Sequence, residues 1–171
     1  MLARNKTIYK WLLYGAAAAL CLAVQGALLQ RITLWGVIPF VFPILVAVLG
    51  MYEGPLPASV YALTVGVLCD LLLPEAVPCL YTLVFPLAGL CAALLSRSLL
   101  PAGVLCSLAA TAVSFLLTDG LRCFLLWMSG QGAWRTGGYL MLREFCVTAP
   151  LVFPATALFR AVARKVHRLY D

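Results

Sequence analysis

The apolar residues of this chain fall into long runs, and short polar or proline- and glycine-containing breaks separate them. A helix that crosses a membrane needs about 20 mostly apolar residues. Runs close to that length predict six spans, at residues 11–30, 32–52, 56–73, 76–96, 98–128 and 140–160. The last run contains Arg143 and Glu144 near its start, so five spans, with this run lying flat on the membrane, is the alternative.

Composition places the whole chain in the membrane class. Of 171 residues, 64% are hydrophobic and only 11% are charged, whereas a soluble domain carries about 25% charged residues. We therefore predict an all-α, polytopic integral membrane protein whose residues 1–171 form one compact helical bundle. The basic start and first apolar run resemble a signal peptide, but the run is long for one, and an uncleaved first span is the preferred interpretation.

The net charge of +6 is concentrated at the two ends of the chain. These terminal basic residues are Arg4, Lys6, Lys10, Arg160, Arg164, Lys165 and Arg168. Such clusters beside apolar spans indicate topology and attraction to anionic lipids rather than a nucleic-acid surface, which needs a folded soluble face. The balance of Lys and Arg predicts that both termini are cytoplasmic, with residues 161–171 as a basic cytoplasmic tail.

In this orientation most charged residues near the membrane collect toward the outer side. Asp70 and Asp119 lie near the outer ends of their spans, Arg122 follows Asp119 by one helical turn, and Arg143 and Glu144 begin the last span. One interpretation is ordinary interfacial placement with local ion pairs. The other is a polar cavity that opens outward.

Asp70 is the only charged residue in the third span, and a carboxylate facing lipid is costly. We therefore expect it to point into protein. Our hypothesis is that Asp70 is structural and orders the third span against its neighbours, through Arg122 or Arg143.

The first span carries small residues at four-residue spacing, namely Gly15, Ala19, Ala23 and Ala27. Small residues at this period let membrane helices approach closely, which predicts a packed face, either inside the fold or against a partner. The competing explanation is that alanine is simply common in spans.

Two prolines one turn apart, Pro39 and Pro43, must bend or break the start of the second span because each lacks a backbone donor. The break lines a cavity in one interpretation and marks a short re-entry after the Leu34-Trp35-Gly36 turn in the other.

Catalytic and metal chemistry have little support in the sequence. The seven cysteines show no CxxC spacing and are interpreted as small hydrophobic residues, while the single histidine, His167, lies in the basic tail. We expect no enzyme activity, no metal and no cofactor.

With these features placed, the chain resembles the MreD family of rod-shape-determining membrane proteins. The strongest match is the segment LTVGVLCDLL, in which Gly66 precedes Asp70 by four residues. Other matching segments have the same order as in the family. VIPFVFPILVAVL around Pro39 precedes the strongest match, and LLSRSLL and then LLTDGLRCFLLW with Asp119 come after it.

The resemblance implies a non-catalytic scaffold of the bacterial cell-elongation (Rod) complex in the plasma membrane, which helps control cell shape and lateral peptidoglycan synthesis. It implies MreC as the main partner, with RodA, a class B penicillin-binding protein and MreB in the same complex. The family is also similar in fold to the substrate-binding S components of energy-coupling factor vitamin transporters. That similarity gives the alternative function, with Gly15, Ala19 and Ala23 as the docking face. Membrane lipids are expected contacts in both cases.

Overall fold

The structure, a computed structural model, describes residues 2–73, 78–130 and 134–170, and side chains within residues 7–166 of those ranges. Its helices are α1 (Leu2–Ala27), α2 (Phe42–Tyr52), α3 (Pro55–Leu72), α4 (Leu80–Ser98), α5 (Val104–Met128) and α6 (Trp134–Tyr170), with a 3-10 turn at Leu29–Arg31. The described ranges contain no strand, only one isolated bridge between Leu34 and Val37. The predicted all-α membrane bundle is confirmed: five helices are long and apolar enough to cross a membrane.

The second predicted span differs from the structure at its start. It is expected at residues 32–52, but α2 begins only at Phe42 and has 11 residues. Residues before Phe42 form a tight turn and an extended segment, in which Pro39 has no N–H to donate to a helix. The prediction of a broken start is therefore correct, and the regular part of this segment is shorter than a full span.

The chain nevertheless crosses the bundle between α1 and α3. Lys10 Nζ near the start of α1 lies 2.6 Å from Glu53 Oε2, just after α2, and Arg97 near the end of α4 lies beside Gly54. We call this end, where α1 begins and α2, α4 and α6 finish, the basic end, and the opposite end the cavity end. The helices alternate in direction, so α1 begins and α6 finishes at the same end.

Two glycines that were not predicted to matter, Gly50 and Gly89, permit close packing around α4. A Cβ atom added to Gly89 of α4 would lie 2.9 Å from the Cβ of Ala62 of α3. One added to Gly50 of α2 would lie 2.8 Å from the Cβ of Ala92 of α4. Such close approach gives membrane helices dispersion contacts that hydrophobicity alone does not supply.

Helix α6 is longer than predicted at both ends. It has 37 residues from Trp134 to Tyr170, so it includes part of the expected loop before residue 140 and most of the expected tail. At 1.5 Å per residue it is about 55 Å long, which exceeds a hydrocarbon core of about 30 Å. Val152 and Phe159 are fully buried in the core, so α6 is part of the bundle and does not lie flat. The predicted start of the fourth span, at residues 76 and 77, lies outside the described residues.

Candidate functional site

Asp70, in the last turn of α3, bonds to the first turn of α4. Its Oδ1 accepts the N–H of Tyr81 at 3.2 Å, and its Oδ2 accepts the N–H of Thr82 at 2.8 Å and the Thr82 hydroxyl at 2.5 Å. The first N–H groups of a helix have no partner inside the helix, and Cys79, at the N-cap of α4, makes no capping bond with its side chain. The carboxylate of one helix therefore caps the next, where the helix dipole also favours a negative charge.

Gly66, one turn before Asp70, allows this approach. A Cβ atom there would lie 2.6 Å from the carbonyl oxygen of Tyr81, closer than any such contact can be. We call Gly66, Asp70, Tyr81 and Thr82 the α3–α4 clamp. The expectation that Asp70 orders the third span agrees with this geometry, but the observed bonds go to backbone and hydroxyl groups of α4, where Arg122 or Arg143 was expected.

A cavity of about 520 Å³ lies at the cavity end of the bundle. It is lined by the end of α1, the 3-10 turn, the extended segment before α2, the residue after α3, and parts of α4, α5 and α6. Its lining residues are Gln25, Gln30, Gly36, Val37, Ile38, Pro39, Phe40, Leu73, Tyr81, Arg122, Leu140 and Glu144. Of the charged residues for which a polar, outward-opening cavity was one interpretation, Arg122 and Glu144 line this cavity, whereas Asp70 bonds to α4. That the cavity opens outward stays a prediction.

Polar side chains hold the extended wall of this cavity in place. Gln25, buried in α1, donates from Nε2 to the carbonyl of Pro39 at 2.9 Å and accepts the N–H of Val41 at 3.0 Å. The hydroxyl of Thr148 in α6 accepts the N–H of Phe40 at 3.1 Å. Irregular backbone at membrane depth needs such partners because lipid offers none. Neither Gln25 nor Thr148 was predicted, although an amide side chain inside an apolar span is the signal that identifies Gln25.

The turn that begins this wall is tight. Leu34 and Val37 exchange two backbone hydrogen bonds of 3.0 Å, and the two residues between them have positive φ, 54° at Trp35 and 74° at Gly36. These angles define a type I′ turn, which glycine adopts without strain at its second position. Gly36 and Pro39 both line the cavity. The proposed re-entry turn and the cavity wall are thus parts of one segment.

Charged side chains of α5 and α6 meet at the cavity. Arg122 and Glu144 line both the large cavity and a smaller one of about 130 Å³, whose wall also includes the buried Asp119. The predicted grouping of Asp119 with Arg122 is therefore present. Arg143 is positioned differently. Its guanidinium lies 5.5 Å from the ring centre of Tyr139, and a Cβ atom added to Gly36 would lie 3.6 Å from its Nη2 atom.

A row of buried hydroxyl groups follows one face of α5 away from Asp119. Thr118, Ser114 and Thr111 each donate to the carbonyl four residues earlier, at 2.7–2.9 Å. Ser107 lies 2.8 Å from Thr156 of α6, hydroxyl to hydroxyl. This row was not predicted, although small polar residues at helical spacing within an apolar span are a readable signal. The bond between Ser107 and Thr156 joins α5 to α6, while the other three hydroxyl groups bond within α5.

The small residues of α1 face away from the bundle. Gly15, Ala19 and Ala23 are exposed, while the neighbouring Ala17 and Ala18 are buried. A Cβ atom on Gly15 would meet nothing within 4 Å, in contrast to Gly50, Gly66 and Gly89. The expectation of packing inside the fold is therefore wrong for this face, and packing against a partner is the expectation that remains.

An apolar groove lies between α1 and α6 beside that face. Its volume is about 170 Å³, and its lining residues are Leu20, Cys21, Val24, Leu29, Val41, Leu151, Pro154, Ala155 and Leu158. Leu20 directly follows Ala19 along α1, and Val24 directly follows Ala23, so each lies beside a small residue of the exposed face. The face and the groove therefore form one continuous apolar surface.

The described side chains offer no metal site. Within residues 7–73, 78–130 and 134–166, no three His, Cys, Asp or Glu side chains are placed to hold an ion. The seven cysteines are free thiols. The side chain of His167 lies outside the described residues.

Taken together, the fold and the site define a multi-pass helical membrane protein with a cavity of mixed polar and apolar lining at one end. Comparison of the chain with protein-family models, with curated proteins and with solved structures gives no match.

Proposed function

We propose that this protein is a non-catalytic membrane scaffold that docks a partner's transmembrane helix, and that it serves the bacterial cell-elongation (Rod) complex in the plasma membrane. The observation that carries the docking role is the exposed small-residue face of α1. The resemblance of the segment from Gly66 to Asp70 to the MreD family carries the assignment to the elongation complex.

Helix α1 lies at the edge of the bundle. Only one side of this helix packs on the bundle, through residues such as Tyr14, whose ring stacks on Phe159 of α6 at 6.3 Å. The opposite side presents Gly15, Ala19 and Ala23 to the membrane. Because lipid tails are as apolar as leucine, helices associate in membranes where small residues permit close backbone approach. The small residues on the exposed face of α1 permit another membrane helix to approach its backbone closely.

The neighbouring groove adds a place for a side chain of the docked helix. A helix packed along α1 would put its small-residue contacts against Ala19 and Ala23, and one of its larger apolar side chains into the groove beside Leu20 and Val24. Ridges of one helix fit grooves of another in this way. The partner class that fits is therefore a membrane helix with an apolar side chain at that depth.

Within the elongation complex, MreC is the proposed direct partner, with RodA, a class B penicillin-binding protein and MreB further members. The basic end then faces the cytoplasm, since Lys and Arg are retained there. This orientation puts Arg160, Arg164 and Lys165 at the inner surface, close to anionic lipids.

Affinity purification from detergent-solubilised membranes tests the proposal. We expect the tagged wild-type protein to carry MreC, and the Ala19→Leu variant to lose it. Ala157→Leu, at an exposed position of α6, is the matched control and keeps the partner. Loss of the partner in both variants, or in neither, contradicts docking on α1.

The cavity of about 520 Å³ favours a second candidate, the substrate-binding S component of an energy-coupling factor transporter. A transporter subunit would co-purify with ATPases and their membrane coupling protein in the same experiment. That result would replace the elongation complex as the assembly while leaving docking on α1 in place.

A further inference from the structure

We propose that the large cavity binds a small zwitterion, a molecule or lipid headgroup that carries an ammonium group and a phosphate or carboxylate group. The proposal rests on the cavity alone and is independent of docking on α1. Its volume of about 520 Å³ falls within the range of small-ligand pockets, roughly 300–1,000 Å³. Bound water alone is the alternative that the experiment must exclude.

Lipid tails are poor occupants of this cavity. Arg122, Glu144 and Gln30 line the cavity, so its wall carries charged and amide side chains, which hydrocarbon solvates poorly. Ionisable residues within a membrane protein normally face a polar cavity and mark function. A polar occupant therefore fits this cavity better than a lipid tail does.

Non-helical backbone forms one wall of the cavity. The segment from Gly36 to Phe40 is not helical, although it lies within a predicted span. In membrane proteins such backbone is tolerated where it is buried or lines a cavity, and interrupted helices recur at substrate sites. Gln25 and Thr148 fix this wall by hydrogen bonds, so the site exists before the ligand arrives.

Charges of both signs lie at the cavity. Arg122 and Glu144 line the cavity with opposite signs, Asp119 lies in the adjoining smaller cavity, and Arg143 approaches the wall at Gly36. The two charged residues that line the large cavity, Arg122 and Glu144, have opposite signs, so a ligand that carries both signs can pair with each of them, whereas a ligand of one sign leaves one of them unpaired by the ligand. Asp119, Arg122 and Glu144 also make contacts within the protein, which holds the charged groups in position and lowers the cost of binding.

Two aromatic rings in the lining suit an ammonium group. Phe40 and Tyr81 both line the cavity, with ring centres 5.5 Å apart and planes tilted by 48°. Aromatic faces attract ammonium groups, and Glu144 supplies a carboxylate in the same cavity. Arg122 is the partner for the anionic group, because a guanidinium binds phosphate and carboxylate with two parallel hydrogen bonds.

Thermal unfolding of the full-length protein in dodecyl maltoside micelles tests the proposal. The probes are dioleoyl-phosphatidylethanolamine, dioleoyl-phosphatidylglycerol and soluble O-phosphoethanolamine, each added to lipid-free protein. We expect the ethanolamine lipid to raise Tm by several degrees and the anionic lipid to do so by much less. Stabilisation by O-phosphoethanolamine as well identifies a free zwitterion as the source, and stabilisation by the lipid alone identifies a headgroup.

Variants connect the effect to the cavity. Arg122→Gln and Glu144→Gln should each weaken probe binding by about tenfold or more, since a hydrogen bond to a charged group is lost. Gln30→Trp, at an exposed position of the lining, blocks the cavity without removing a charge and should abolish the effect in a folded protein. Lys165→Gln, exposed on α6 near the basic end, is the control and keeps it. Equal stabilisation by both lipids, no stabilisation by any probe, or full stabilisation of Gln30→Trp overturns the proposal.

Discussion

The Oδ2 atom of Asp70 accepts the backbone N–H of Thr82 at 2.8 Å, so the carboxylate that ends one membrane helix caps the next. This bond explains why an acidic residue lies inside an apolar run. A carboxylate has two oxygens and no hydrogens to donate, and here both oxygens accept from donors that α4 cannot satisfy itself. An amide side chain offers one oxygen and would turn an N–H toward those donors.

Replacing Asp70 should therefore weaken the protein in a graded way. We expect Asp70→Asn to lower the free energy of unfolding by about 1–3 kcal/mol, the cost of hydrogen bonds to a charged group, and Asp70→Ala to lower it at least as much. Thr82→Val, which removes only the hydroxyl donor, should cost about 1 kcal/mol. Equilibrium unfolding in mixed SDS micelles measures all three.

Arg122→Gln distinguishes this cap from an ion pair. If Asp70 acted mainly through Arg122, the double variant Asp70→Asn/Arg122→Gln would be far from additive. The clamp predicts near-additive changes, because Asp70 bonds to Tyr81 and Thr82. Unchanged stability of Asp70→Asn would contradict the cap itself.

Gly66→Ala should separate α3 from α4. The added methyl group would lie 2.6 Å from the carbonyl oxygen of Tyr81, so the helices must move apart and the bonds of Asp70 must lengthen. We expect a loss of about 1–3 kcal/mol, typical of overpacking. Gly120→Ala in α5 is the matched control: its methyl group meets nothing within 4 Å, and helix propensity predicts no loss or a small gain. A Gly66→Ala protein as stable as Gly120→Ala would show that the close approach is not required.

Adjacent alanines of α1 should respond differently to enlargement. Ala18 is buried and Ala19 is exposed, so Ala18→Leu overpacks the core and should lower Tm by several degrees. Ala19→Leu should leave Tm of the isolated protein unchanged while partner binding is lost. Tm in detergent and the amount of co-purified partner are measured on the same preparations. A lowered Tm for Ala19→Leu would place this residue in the fold and remove the basis for docking.

Gln25→Leu should release the extended wall of the cavity. The variant loses the bonds to the Pro39 carbonyl and the Val41 N–H, and each buried group left unsatisfied costs about 1–3 kcal/mol. We expect lower stability and faster cleavage by protease between residues 32 and 41. Gln30→Leu, at an exposed position, should show neither change. Equal protection of the wall in both variants would show that Gln25 does not hold it.

The sequence predicts the membrane class and most helix positions because apolar runs of spanning length have few alternatives. It predicts a break near Pro39 for a local reason, the missing backbone donor. It does not predict that Asp70 caps α4, since the donors at Tyr81 and Thr82 become neighbours only after α3 and α4 pack. It also cannot say which side of α1 faces outward: Ala18 and Ala19 are both alanine, and only packing separates them.

Site-specific photocrosslinking in intact membranes tests docking on α1 most directly. A benzoylphenylalanine in place of Leu20, beside the small-residue face and 56% exposed, is compared with one in place of Leu116 on α5, 60% exposed. Docking predicts that the probe at residue 20 crosslinks to one membrane protein, identified as MreC by mass spectrometry. The Ala19→Leu variant should not form this product. The probe at residue 116 should not form it either. Lipid adducts alone at residue 20, or the same product from both positions, would contradict it.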